Sequence, residues 1–91
     1  FVIHAHCPAI WHYADCLNLP QTRADIPYGT VAMATEVGRL FVETAVVQQR
    51  IFTMAGHEDG VVSFGSTAAA AFQVLAEYYA LALRLGAEPN I

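Results

Sequence analysis

At 91 residues the chain is short enough to be one domain at most, yet it is 56% hydrophobic and only 13% charged, whereas a typical soluble domain is about 25% charged. So much apolar surface on so few residues points to a piece of a larger core, a subunit interface, or both. The net charge of −4, with Arg23, Arg39, Arg50 and Arg84 scattered and no lysine, excludes nucleic acid as a partner, because phosphate binding needs clustered basic side chains.

The apolar opening of residues 1–6 reads as a buried strand, and it begins without methionine, polar leader or helix cap, as a segment starting in mid-domain would. Pro8 suits the first turn of a short helix over residues 9–17. Two prolines and a glycine make residues 18–30 a loop, with a few extended residues expected around Asp25 and Ile26. Thr30 can cap a second helix running to about Gln48, in which Met33, Val37, Leu40, Phe41 and Thr44 recur at three- and four-residue steps. Residues 50–55 and 61–64 are short, partly β-branched runs separated by Gly56-His57-Glu58-Asp59-Gly60, and Asp-Gly between such runs is a strong hairpin signal. Gly65-Ser66-Thr67 opens a last helix, with Phe72, Leu75, Ala76, Tyr79 and Leu83 along one stripe and Gly86 as its stop, and Tyr78 and Tyr79, with Phe72, read as core or interface. Gln73 and Glu77 lie inside its most apolar stretch, which reads as a packed helix and excludes a membrane partner. The alternation of elements gives an α/β class and a layered domain whose sheet is partly represented. Cys7 and Cys16 are two cysteines without a framework, and a reduced, cytoplasmic protein is the expectation.

His4 and His6 flank a single alanine in the first strand. Strand alternation aims both at the same face, roughly 6–7 Å apart along the backbone. With His57 brought in from the turn, they make the open three-imidazole set of a catalytic zinc site, leaving a position for water or substrate. Imidazole ligands suit zinc first, and manganese, iron, cobalt or nickel next. The plainer reading is three ordinary histidines making hydrogen bonds at a strand end. Glu58 is either a carboxylate that orients an imidazole or serves as acid or base, or a solvated charge. Asp59 reads mainly as a turn residue. His12 reads as a helical histidine, and Cys7 as a thiol aimed away from the face of His6. Tyr28, at a loop mouth, either donates a proton or packs. Ser66 and Thr67 either receive an anion at a helix start or cap it.

The succession Val2-Ile3-His4-Ala5-His6, then Ile26-Pro27-Tyr28-Gly29-Thr30 before a helix, then residues 52–65 before an alanine-rich helix, resembles the C-terminal half of the class II aldolase/adducin domain family. The likeness covers nearly all 91 residues. It implies a three-layer α/β/α sandwich, with residues 1–91 as the C-terminal portion of one such domain. It also implies one divalent metal ion on His4, His6 and His57, at the family's three zinc positions. The implied reaction is aldol cleavage or epimerisation of a small hydroxylated carbonyl compound, sugar phosphates included, through a metal-stabilised enediolate. A homo-oligomer, a tetramer by resemblance, is implied as well. The family's catalytic glutamate and phosphate-binding residues lie upstream of the histidine pair and have no counterpart here, so residues 1–91 alone are expected to be inactive. The turn around His57 is two residues longer than the family's Asn-His-Gly. Adducin itself sets the alternative, a non-catalytic binding or scaffold module.

Overall fold

A computed structural model describes residues 1–87. Strands β1 (Val2–His6), β2 (Gln21–Thr22), β3 (Ile51–Met54) and β4 (Gly60–Phe64) form one mixed sheet in the order β1-β4-β3-β2. β4 runs antiparallel to both β1 and β3, and β2 runs parallel to β3. Helices α1 (Pro8–His12), α2 (Val31–Glu43), α3 (Val46–Gln49) and α4 (Ala68–Ala87) are the other elements among the described residues. The fold is therefore α/β, as expected. None of the described helices is long and apolar enough to cross a membrane.

Alternation along the strands sends side chains to two separate apolar clusters. Ile51 and Val61 meet Ile10, Ala14, Leu19 and Ala82, with Val74, Leu75 and Tyr78 against them, so α1 and α4 cover this face. Phe52 and Met54 meet Met33, Leu40 and Val46, with Val62 and Phe64 alongside, so α2 and the start of α3 cover the other. β3 is buried at all four positions because it lies between β4 and β2 under both clusters.

Several boundaries differ from those expected. α1 ends at His12 and not near residue 17, and the chain continues in turns closed by Leu17 N–H to the Tyr13 carbonyl and Asn18 N–H to the Asp15 carbonyl. The extended residues of the loop are Gln21 and Thr22, whereas Asp25 and Ile26 lie in a turn closed by Ile26 N–H to the Arg23 carbonyl. The second helix stops at Glu43, because Thr44 is extended (φ −130°, ψ 174°). The Thr44 hydroxyl donates to the Leu40 carbonyl at 2.6 Å and accepts from Val46 N–H at 3.2 Å. Such local side-chain bonds compete with continued helix, and α3 restarts after the break.

The last helix differs in its buried face. Ala71, Val74, Leu75, Tyr78 and Ala82 pack inward, while Phe72, Tyr79 and Leu83 are exposed. The expected stripe was thus rotated by about one residue. Helix α4 also passes through Gly86 to Ala87, so Gly86 is not its stop.

Capping follows the sequence. Thr30 accepts from Met33 N–H at 3.2 Å at the head of α2, and Thr67 accepts from Ala70 N–H at 3.0 Å at the head of α4. A buried ion pair anchors α2 as well. Buried Glu36 accepts from Arg39 Nε at 2.6 Å and Nη2 at 2.9 Å, and from Arg23 N–H at 2.6 Å. Arg39 also donates to the Gln21 carbonyl, tying α2 to β2. The Arg39 hydrogen bonds, foremost, bring the Glu36 pKa down from 4.5 to about 2, against the opposing effect of burial. A carboxyl whose folded pKa lies below its unfolded value stabilises the fold above the unfolded value and stops doing so as the pH falls through the folded one. Thermal unfolding should therefore show a loss of stability between about pH 4.5 and pH 2. Glu36→Gln should lower the midpoint by about 5 °C at neutral pH and flatten that acid dependence.

Candidate metal centre

β1 is one of the two edge strands, and its residues alternate between exposed and half-buried. Ile3 and Ala5 turn to the face that carries α4, which leaves His4 and His6 on the opposite face. In the register of β1 with β4, His4 lies opposite Val62 and His6 opposite Gly60. The pairing continues beyond β1, with Cys7 N–H donating to the Asp59 carbonyl at 2.8 Å.

That extension brings in the third histidine. The β3–β4 turn is closed by His57 N–H to the Met54 carbonyl at 3.0 Å and Gly60 N–H to the His57 carbonyl at 2.9 Å. Asp59 adopts the left-handed conformation (φ 64°), which Asp tolerates better than most residues, so it serves the turn as expected. With no side chain at Gly60, the space beside His6 is free for His57. A Cβ there would stand 2.5 Å from His57 Cδ2 and 2.9 Å from Met54 Cε.

The three rings form a nearly equilateral triangle, with centroids 5.3 Å (His4–His6), 5.5 Å (His4–His57) and 5.1 Å (His6–His57) apart. One nitrogen from each lies within 4.8 Å of the others. Zinc–imidazole bonds are about 2.0–2.1 Å long, so modest side-chain rotation closes this set on one ion. His57 Nε2 is buried without a hydrogen-bond partner, and coordination would satisfy it. Two threonine hydroxyls, Thr22 and Thr53 Oγ1, share that condition among the described residues. The pKa of His4 is lowered, first by partial removal of water from its ring and then by the neighbouring His57 and His6. The neutral imidazole is the form that ligates.

Other candidates lie apart from this group. Glu58 is exposed, and among the described residues no hydrogen bond joins it to an imidazole. His12 is exposed on α1 with its ring edge-on to Tyr13 at 4.8 Å. Cys7 packs against the α1–α4 cluster, and both cysteines are free thiols. Thr67 acts as a cap. Tyr28, by contrast, lies over the cluster, 4.7 Å from His57 and 4.9 Å from His4 between ring centroids.

No protein-family model, curated protein or solved structure matches the chain.

Gly60→Ala should keep the fold at a cost of about 1–3 kcal/mol from overpacking and push the His57 ring out of the triangle. Denaturant unfolding measures the first effect, and displaced His57 imidazole resonances report the second. Unmoved resonances would show that the space beside His6 is not what admits His57.

Proposed function

We propose that this chain corresponds to the C-terminal part of a class II aldolase/adducin-type domain, a three-layer α/β/α sandwich, and that His4, His6 and His57 hold one divalent cation. Zinc is the first expectation for three imidazoles, with manganese, iron, cobalt and nickel as alternatives. The activity that fits is an aldolase- or epimerase-type reaction on a small hydroxylated carbonyl compound, sugar phosphates included. A cytoplasmic homo-oligomer completes the reading.

The observation that carries it is the convergence of three imidazole nitrogens within 4.8 Å of one another. Support also comes from the orphaned Nε2 of His57, because a buried polar atom left unpaired costs roughly 1–3 kcal/mol. A bound divalent ion supplies Lewis-acid charge for substrate oxygens. The chain's own contribution is placement. β1 fixes two imidazoles on one face, and the tied turn fixes the third. Three protein nitrogens leave a coordination position for an outside oxygen, which is the arrangement of a catalytic rather than a closed structural site.

Chelator-stripped protein should take up one equivalent of zinc, with a rise in thermal midpoint that follows the free metal concentration. His6→Ala or His57→Ala should weaken uptake by more than the roughly 100-fold that losing an outer hydrogen-bond partner can cost. Lack of uptake by the wild type would overturn the metal reading. In the full-length parent protein, zinc- or manganese-dependent cleavage or epimerisation of sugar phosphates, lost in His6→Ala, is the expected activity. Metal uptake without any turnover would assign the domain to the adducin-like binding class.

A further inference from the structure

We infer that Tyr28 is a positioning residue of the histidine cluster, its ring a stacked cover that holds the His4 and His57 imidazoles with a nitrogen each toward their common point. The inference rests on the reading of these histidines as cation ligands. A metal-ligating imidazole is ordinarily oriented by a hydrogen bond to its second ring nitrogen. Among the described residues, no hydrogen bond reaches a side-chain nitrogen of His4, His6 or His57. The terminal torsion of histidine is broad, so these rings need another restraint. Tyr28 offers one. Its ring lies 4.7 Å from His57 at 20°, a stacked pair, and 4.9 Å from His4 at 36°, both inside the range of favourable aromatic contacts.

The backbone holds Tyr28 there. It occupies the turn Pro27-Tyr28-Gly29-Thr30, with Gly29 at φ +83°, a value that glycine adopts without steric cost. The Thr30 hydroxyl donates to the Pro27 carbonyl at 2.8 Å while accepting from Met33 N–H, which fixes the turn to the head of α2. At the other end, the loop is pressed against the turn that bears His57. A Cβ on Gly56 would lie 2.6 Å from the Ile26 carbonyl oxygen and 2.7 Å from that of Ala24. The loop carrying the cover and the turn carrying the ligand are thus in backbone contact. One aromatic ring spans the ligand from β1 and the ligand from the β3–β4 turn.

Tyr28→Phe and Tyr28→Ala separate the ring from its hydroxyl. Cobalt(II) serves as the probe, through its visible absorption and competition against a chelator, beside circular dichroism and imidazole proton NMR of the metal-free protein. Tyr28→Phe should keep the wild-type cobalt spectrum and bind within about twofold. Tyr28→Ala should stay folded, lose the ring-current shifts on the His4 and His57 protons, alter the cobalt bands and bind roughly 10- to 100-fold more weakly. Unchanged cobalt binding and spectrum in Tyr28→Ala would overturn the positioning role while leaving the ligand assignment intact. Equal damage from Tyr28→Phe would overturn it in favour of the hydroxyl. If wild-type protein and His6→Ala are alike in taking up no cobalt, the ligand reading fails and the positioning role falls with it.

Discussion

The antiparallel pairing of β1 with β4, carried on to Cys7 and Asp59, is the constraint from which the rest of the site follows. It sets His6 against Gly60, and so places the only residue type without a side chain where the His57 ring must fit. Because side chains alternate along a strand, a slip of one residue would turn His4 and His6 toward α4 and put Ile3 and Ala5 in their place. The same register sends Val61 and Ser63 to one core and Val62 and Phe64 to the other. Core and cluster therefore enforce a single alignment.

Several polar side chains that tie the elements together are paired, whereas among the described residues the imidazole nitrogens of the cluster are not. Trp11 Nε1 donates to the Met54 carbonyl at 2.9 Å, fastening α1 to the end of β3 from which the His57 turn departs. Buried Ser63 donates to the Ala71 carbonyl at 2.8 Å, joining β4 to α4. Glu36 accepts three hydrogen bonds. The unpartnered Nε2 of His57 shares its condition with the sheet hydroxyls of Thr22 and Thr53 among the described residues, although buried polar atoms in folded proteins are overwhelmingly paired. Phe1, Val2, Val31, Val42 and Phe72 are largely exposed among the described residues, leaving surface of the kind that contact with further protein covers.

Much of this could be read before any coordinates. Strand alternation in residues 2–6, the hairpin signal around Asp59-Gly60 and the caps at Thr30 and Thr67 are local devices whose chemistry is written in neighbouring residues. The histidine pair was legible for the same reason. The failures share a cause too. The break at Thr44 depends on a hydroxyl choosing between helix and turn, and the inward face of α4 differs from the expected stripe because apolar residues lie on several of its faces. Periodicity cannot select a face when several faces look alike. The burial of Glu36 leaves no local signal, because a charged residue inside a helix is usually solvated and its partners lie 13 residues upstream at Arg23 and three downstream at Arg39.

By itself, then, the sequence determined the element types and which histidines share a strand face, since both follow from short-range periodicity and backbone preference. Only the tertiary structure decided that His57 joins that pair, that Glu58 stands aside, and that Tyr28 lies over two of the rings. Those outcomes depend on contacts between segments more than twenty residues apart. The register of β1 on β4 and the close approach of loop and turn at Gly56 create such contacts, and no local pattern encodes them.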